Sequence, residues 1–206
     1  MSETRIVVGV TGASGALYAV RTLRALLLAG AEVDLVVSAF GARLLRDEVG
    51  LDLEEETVPE FLARTEALTS VAGRVVRYDE RDLGAPISSG SYPARGMVVV
   101  PCSTKTLAGI AHGSTHNLIE RAADVSLKER RPLVLVPREA PLNLIHLRNM
   151  VAATEAGAIV IPAAPGFYQK PETFEDLGDF IAGRILNVLG IPQGLFTPWG
   201  MEPAEE

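Results

Sequence analysis

The sequence is poor in the residues that disulfide scaffolds, metal centres and membrane proteins require. Its one cysteine, Cys102, cannot form a disulfide within the chain. No apolar run approaches the roughly 18 residues of a membrane span, and the first residues contain no apolar signal region, so we expect a cytoplasmic protein without a membrane partner. The histidines, His112, His116 and His146, lack metal-ligand spacing to any cysteine or glutamate, which predicts no metal site.

Basic residues are also scarce. The chain has 19 lysines and arginines against 26 aspartates and glutamates, which gives a net charge of -7. This balance argues against nucleic-acid binding, because that function needs a basic face. It is compatible with a local cationic pocket. A length of 206 residues, with 48% of them hydrophobic, predicts a globular protein with a substantial core.

Short apolar runs alternate with helical segments along the whole chain. The runs are rich in valine and isoleucine and do not alternate with polar residues, which is typical of parallel strands buried on both faces; they occupy residues 6–10, 33–37, 97–100, 133–136 and 158–161. Helical periodicity is found at residues 16–28, 104–111, 117–130, 144–156 and 174–189. This order predicts a doubly wound α/β fold, with a mainly parallel sheet and helices on both faces.

Three details complete the predicted organisation. Prolines follow three of the apolar runs, at Pro101, Pro137 and Pro162, and are expected to end those strands. The polar region 52–76 is expected to hold one helix and an edge strand. Residues 1–192 are expected to form a single domain, followed by a C-terminal tail at 193–206.

A glycine-rich turn at residues 9–15 joins the first strand to the first helix. Gly12 and Gly15 allow tight turning, Ser14 adds a hydroxyl, and the amides at the helix start can hold a phosphate. The glycine spacing differs from the dinucleotide fingerprint, and the second strand ends at the neutral Ser38 rather than at an acid. A mononucleotide phosphate site is therefore favoured over NAD(P), with an ordinary strand–helix turn as the alternative.

Two further loops, at residues 88–91 and 101–106, are rich in hydroxyl groups. Helix capping explains one hydroxyl of the second loop. It does not explain Ser103, Thr104 and Thr106 together at the carboxyl end of a strand, where a ring system rich in donors and acceptors, such as an isoalloxazine or its ribityl chain, would use them. Cys102 is expected to be a packed small residue, because no histidine is nearby in sequence.

Cationic and proton-handling side chains fall close to the predicted strand ends and on the last helix. Arg138 and Glu139 directly follow a buried strand, where they form either an ion-paired turn or a site for an anion and a proton. Arg184 lies within the apolar pattern of the last helix, and we expect it to point inward. A phosphate bound by several such groups would gain roughly 1.5–3 kcal/mol from each charge-assisted bond; the candidates are Arg121, Lys128, Arg138, Tyr168 and Arg184.

Five motifs, in order, resemble those of the UbiX-type flavin prenyltransferases. They lie at residues 8–15, 88–91, 101–106, 137–139 and 165–168, and the resemblance covers nearly the whole chain. It implies a Rossmann-like, metal-independent flavoprotein, a dodecamer with active sites between subunits. The reaction it implies is transfer of a dimethylallyl group from dimethylallyl monophosphate to N5 and C6 of reduced FMN. The prenylated FMN would serve UbiD-type decarboxylases, including one in ubiquinone biosynthesis.

The same resemblance assigns roles to residues by position. FMN would be held by Gly12, Ala13, Ser14, Ser38, Ser103, Thr104, Lys105, Thr106 and Arg138. The prenyl phosphate would be held by Lys128, Glu139, Tyr168, Arg184 and, from a neighbouring subunit, Arg121. Glu139, Ser14 and Lys128 would act in catalysis. Glu48 matches the family more weakly and receives no assigned role. Leu83 stands where some relatives have tryptophan.

Two other functions remain as alternatives. The first is an FMN-dependent decarboxylase of peptidyl or pantothenoylcysteine, which shares the fold. Relatives of that kind contain a Pro-x-Ser-Ala-Asn-Thr segment, which residues 101–106 of this chain do not match. A non-catalytic flavin-binding subunit is the second alternative. The intact Arg138-Glu139 pair and Lys128 argue against it.

Overall fold

A six-stranded, all-parallel sheet organises the computed structural model, which describes residues 4–66, 68 and 70–197. Its strands are β1 (Arg5–Val10), β2 (Glu32–Val37), β3 (Arg74–Tyr78), β4 (Gly96–Cys102), β5 (Leu133–Pro137) and β6 (Ile159–Val160). Their spatial order is β3-β2-β1-β4-β5-β6. The order reverses between β1 and β4, and such a switch point opens a crevice at the carboxyl ends of the strands. The doubly wound prediction is confirmed.

Seven helices cover the two faces of the sheet in the described part of the chain. They are α1 (Ala16–Leu28), α2 (Ala39–Val49), α3 (Val58–Glu66), α4 (Thr104–Ala111), α5 (Leu118–Lys128), α6 (Leu144–Glu155) and α7 (Phe174–Val188). Helices α1, α2, α3 and α7 pack with one set of buried strand residues, which includes Ile6 and Val8. Helices α4, α5 and α6 pack with the other set, which includes Val7 and Val99. Because every central strand is buried on both sides, none shows polar alternation.

The predicted helices are found, and one helix was missed. Helices α1 and α4 have the predicted bounds. Region 52–76 holds α3 and the start of the edge strand β3, which continues to Tyr78. Helix α2 was not predicted. Only Gly41 and Leu45 of this helix are buried, so its sequence carries too narrow an apolar stripe to be recognised by periodicity.

The proline at the end of the third apolar run does not end its strand, which corrects the prediction for Pro101. Strand β4 continues to Cys102, and its pairing with β5 loses register between Val99 and Cys102. A proline cannot donate to the ladder, but here the ladder resumes one residue later. Pro137 is the last residue of β5, as predicted.

The first residues of the predicted C-terminal tail pack against the domain. Phe196 stacks on Phe180 of α7 with ring centroids 5.3 Å apart. Residues 198–206 lie outside the described part of the chain, so the division at residue 192 stays a prediction. No helix within the described ranges is long and apolar enough to cross a membrane.

Candidate active site

The loops after four parallel strands bring the predicted flavin residues to one edge of the sheet. Residues 12–14 follow β1, Ser38 follows β2, residues 103–106 follow β4, and Arg138 with Glu139 follows β5. All four strands run in the same direction, so their carboxyl ends form one rim. This rim lies at the switch point, where open α/β sheets bind ligands.

A buried threonine joins the loop after β1 to the loop after β4. The Thr11 hydroxyl donates to the Pro101 carbonyl at 2.8 Å and accepts from the Ser103 backbone N–H at 2.7 Å. Thr11 is 2% exposed. Thr11 was not predicted to be a site residue. The available signal was a hydroxyl placed directly after a fully buried strand, where a polar group must find a partner.

Arg138 joins the loop after β5 to the loop after β1. Its Nε donates to the Ser14 carbonyl at 2.8 Å. A guanidinium carries five N–H donors, and this is the one hydrogen bond that Arg138 forms within the described ranges. The half-buried guanidinium therefore keeps donors for an anion or a ring carbonyl at the rim.

Serine caps begin two of the helices at the rim. The Ser38 hydroxyl accepts from the Gly41 N–H at the start of α2, at 3.1 Å. The Ser103 hydroxyl accepts from the Thr106 N–H at 3.2 Å and donates to the Thr106 hydroxyl at 3.1 Å. Capping therefore explains these two serines. It leaves the Thr106 hydroxyl hydrogen available, together with the half-buried Thr104 and the exposed Lys105.

A carboxylate, rather than open space, occupies the amino end of α1. Glu48 accepts from the backbone N–H groups of Gly15 and Ala16, at 2.8 Å each. A phosphate at this first turn, as the glycine-rich turn predicted, would meet a carboxylate on the same donors. The anion site predicted for these two amides is therefore not present in this arrangement. Gly12, Ala13 and Ser14 still line the rim.

Contacts around Glu48 change its acidity. Burial alone would raise the pKa of this carboxyl, but the N–H groups of Ala16 and Gly15, the Ser14 hydroxyl and the Arg138 charge together lower its pKa. A carboxylate at a helix amino end also interacts favourably with the helix dipole. Glu48 thus links α2, the start of α1 and the Ser14–Arg138 contact.

We expect Glu48→Gln to lower the stability of the protein at neutral pH by about 0.3–1 kcal/mol, the usual worth of a charge at a helix end. The pKa of Glu48 is lowered by folding, so its contribution is present above the unfolded pKa of about 4.3 and is lost as pH falls through the folded pKa. Melting temperatures at fixed protein concentration should therefore differ at pH 7 and converge in acid. Glu55→Gln, at an exposed residue, is the matched control. A difference that stays constant with pH would contradict this account.

One protomer does not bring the predicted prenyl-phosphate residues together. Glu139 is exposed on the rim beside Arg138. Arg121 lies in the first turns of α5, where its Nε donates to the Ser88 carbonyl at 3.1 Å. Lys128 ends α5 shortly before β5 begins at Leu133, so it lies toward the opposite edge of the sheet, paired with Glu129.

The remaining two residues of that set lie on the other face of the sheet from α5. The rings of Tyr168 and Phe180 pack in a T-shaped arrangement, with centroids 5.6 Å apart. Arg184 lies on the outer side of α7 and is exposed, so the inward orientation expected for it is wrong. Ile181 and Ile185 lie on the side of α7 that faces the sheet, and Arg184 therefore lies on the side that faces solvent.

The other candidates have structural partners. Cys102 is fully buried, and burial raises the pKa of its thiol to about 12, which confirms a packed residue rather than a nucleophile. His112 contacts Asn149 at 3.1 Å, and His146 completes a capping box with Asn143. Within the described ranges, no group of three His, Cys, Asp or Glu side chains could hold a metal ion.

Sequence comparison identifies relatives over nearly the full chain. Residues 1–186 match the model of the Flavoprotein family. A flavin prenyltransferase UbiX from Pseudomonas aeruginosa is 48% identical, over 95% of this chain and 94% of its own. Another protein of that name, from Halalkalibacterium halodurans, is 46% identical, over 95% of this chain and 93% of its own.

Solved structures agree with the sequence relatives. AnUbiX (PadA1), solved in complex with FMN and dimethylallyl pyrophosphate, superposes with a TM-score of 0.86 and 42% identity, covering 98% of this chain and 100% of that one. A dodecameric FMN-dependent UbiX-like decarboxylase from Escherichia coli O157:H7 superposes with a TM-score of 0.80 and 39% identity, covering 92% of this chain and 97% of that one. A PPC decarboxylase mutant, at 20% identity and a TM-score of 0.60, shares the fold alone. The chain belongs to the flavoprotein family and, within it, to the UbiX flavin prenyltransferases.

Proposed function

We propose that this protein transfers a dimethylallyl group from dimethylallyl monophosphate to N5 and C6 of reduced FMN. The main support for the proposal is the joined rim: Thr11 links two loops rich in hydroxyl groups, and Arg138 links the first of them to the loop that carries Glu139. The similarity to AnUbiX, solved with FMN and a prenyl diphosphate, supports both ligand classes.

The donors at the rim fit a flavin mononucleotide. Hydroxyls and backbone N–H groups suit a phosphate and a ribityl chain, and the Arg138 guanidinium suits a ring carbonyl or an anion. We assign FMN binding to Gly12, Ala13, Ser14, Ser38, Ser103, Thr104, Lys105, Thr106 and Arg138. The reduced flavin supplies an electron-rich ring as the acceptor of the prenyl group. It needs no metal ion for this role.

The cations of the chain would act on the leaving phosphate. Breaking an allylic carbon–oxygen bond develops negative charge on the phosphate oxygen, and Lys128, Arg184 and Arg121 stabilise that charge most in the transition state. Tyr168 would donate a hydrogen bond to the same group. Glu139, with Ser14 or the released phosphate, would move the protons: it would take up those lost from N5 and C6 and return one to the alkene carbon of the prenyl group, so that the tertiary carbon can bond C6.

Assembly of subunits would complete this phosphate site. Lys128 on α5 and Arg184 on α7 lie on opposite faces of one sheet, so within one protomer they cannot hold the same small anion. Three large apolar side chains of α6 are also more than half exposed: Leu144, Ile145 and Val151. Such a patch is typical of a protein interface. We therefore propose a homododecamer, the state in which the similar E. coli protein was solved.

Prenylated flavin made by this protein would be bound as a cofactor by UbiD-type decarboxylases, one of which acts in ubiquinone biosynthesis. The recipient would be a separate protein that binds FMN-like ligands. We place the reaction in the cytoplasm. A buried, unpaired Cys102 is compatible with a reducing compartment.

Parallel assays distinguish this function from its rivals. The protein, photoreduced FMN and dimethylallyl monophosphate are incubated without oxygen, while a second sample receives oxidised FMN and a peptide ending in cysteine. We expect a prenylated flavin in the first sample and no carbon dioxide from the second. Decarboxylation without flavin modification would favour the cysteine decarboxylase, and neither reaction would favour a flavin-binding subunit.

A further inference from the structure

Thr11 extends the contact between β1 and β4 beyond the sheet ladder, through its backbone N–H and its buried hydroxyl. Strands β1 and β4 are paired as far as Gly9 and Val99. Beyond that point Thr11 makes three contacts to the loop after β4: its N–H donates to the Pro101 carbonyl at 3.2 Å, its hydroxyl donates to the same carbonyl at 2.8 Å, and it accepts from the Ser103 N–H at 2.7 Å.

These contacts continue into the cap of α4. Ser103, held by Thr11, accepts from the Thr106 N–H and donates to the Thr106 hydroxyl. Thr106 is 7% exposed. One threonine side chain therefore holds the backbone of the residue that caps α4, while its own backbone leads into residues 12–14.

We propose that Thr11 is a positioning residue for FMN: its hydroxyl sets the separation of the two loops, and flavin affinity depends on it. The inference rests on the proposed function of the rim. At 2% exposure the side chain is closed off from a ligand, so it acts through Ser103 rather than by touching the flavin. A threonine or serine is required here, because the site needs one donor and one acceptor on the same atom.

Thr11→Val keeps the shape of the side chain and removes both functions of the hydroxyl. The Ser103 N–H is then buried without an acceptor, and the loop must move to restore a partner. We expect the Kd for FMN, measured by quenching of flavin fluorescence, to rise about tenfold, equivalent to about 1.4 kcal/mol. Thr11→Ser, which keeps the hydroxyl, should restore affinity. The thiol of Thr11→Cys is a weaker donor and acceptor than a hydroxyl, so the Kd of this variant for FMN should lie between those of Thr11→Ser and Thr11→Val.

The matched control is Thr22→Val. Thr22 is fully buried in α1, and its hydroxyl donates to the Tyr18 carbonyl of the same helix at 2.7 Å, away from the rim. This variant should change melting temperature without changing the Kd for FMN. Wild-type affinity in Thr11→Val, or in Thr11→Cys if the valine variant does not fold, would overturn the inference. So would equal weakening in Thr22→Val.

Failure of the proposed function gives a different result. If the wild-type protein binds FMN but forms no prenylated flavin, the reaction is wrong and the Thr11 series still reports on flavin binding. If the wild-type protein forms the product and Thr11→Val binds FMN normally, only the positioning role is wrong.

Discussion

Replacing Glu139 by glutamine is expected to slow formation of prenylated flavin about 10²–10⁴-fold in a single turnover, the range for loss of a general acid–base group. Glu139 is exposed on the rim, one residue beyond the Arg138 that holds Ser14, and its Oε1 accepts from the Ala140 N–H at 3.1 Å. Glutamine retains the shape and an acceptor oxygen for that contact. It cannot accept a proton from the reacting flavin.

The measurement separates proton transfer from binding. Product formed with enzyme in excess gives the rate of the chemical steps, and fluorescence titration gives the FMN affinity, which should not change. Glu155→Gln, an exposed carboxylate at the end of α6, is the control and should react as the wild type does. An unchanged single-turnover rate in Glu139→Gln would show that Glu139 does not carry the proton.

Lys128→Ala and Arg184→Ala should each weaken binding of dimethylallyl monophosphate about 10- to 100-fold, which corresponds to the roughly 1.5–3 kcal/mol of one charged hydrogen bond. We expect a larger loss of affinity in the double variant, in which both substitutions are made in the same chain. Because the residues lie on opposite faces of the sheet, one site would receive them from different subunits. Oligomers that contain both single variants should therefore include some sites with both cations.

Coexpression of differently tagged single variants tests this arrangement. After purification through both tags, we expect activity well above that of either variant alone, from the fraction of complete sites. The control is an oligomer that mixes the single variant Lys128→Ala with the double variant, in which no site can have both cations. If activity of the two mixtures is equal, the two residues do not meet between subunits.

Much of the fold was predictable because its core is regular. Parallel strands buried on both faces carry unbroken apolar runs, and these located five of the six described strands. Helix α2 was missed because it buries only two residues, Gly41 and Leu45, of which only Leu45 has an apolar side chain. Pro101 was misjudged because its lost donor perturbs the register with β5 without ending β4.

The rim was predictable to a smaller extent. Strand ends converge in any parallel sheet, so the loop residues 12–14, 103–106 and Arg138 could be grouped from sequence. The contacts of Glu48 with Gly15 and of Thr11 with Ser103 join segments far apart in the chain, and no local pattern reports them. Arg184 was placed inward because its neighbours are apolar, although its own position on the helical turn points to solvent.

The mass of the flavin shows whether this protein adds a five-carbon prenyl group to FMN. Reduced FMN and dimethylallyl monophosphate are incubated with an excess of the wild-type protein under anaerobic conditions. The protein is then denatured, and the released flavin is weighed by mass spectrometry. We expect FMN that is heavier by one C5H8 unit, and no such product when the protein is omitted. Recovery of unmodified FMN alone would contradict the proposed reaction.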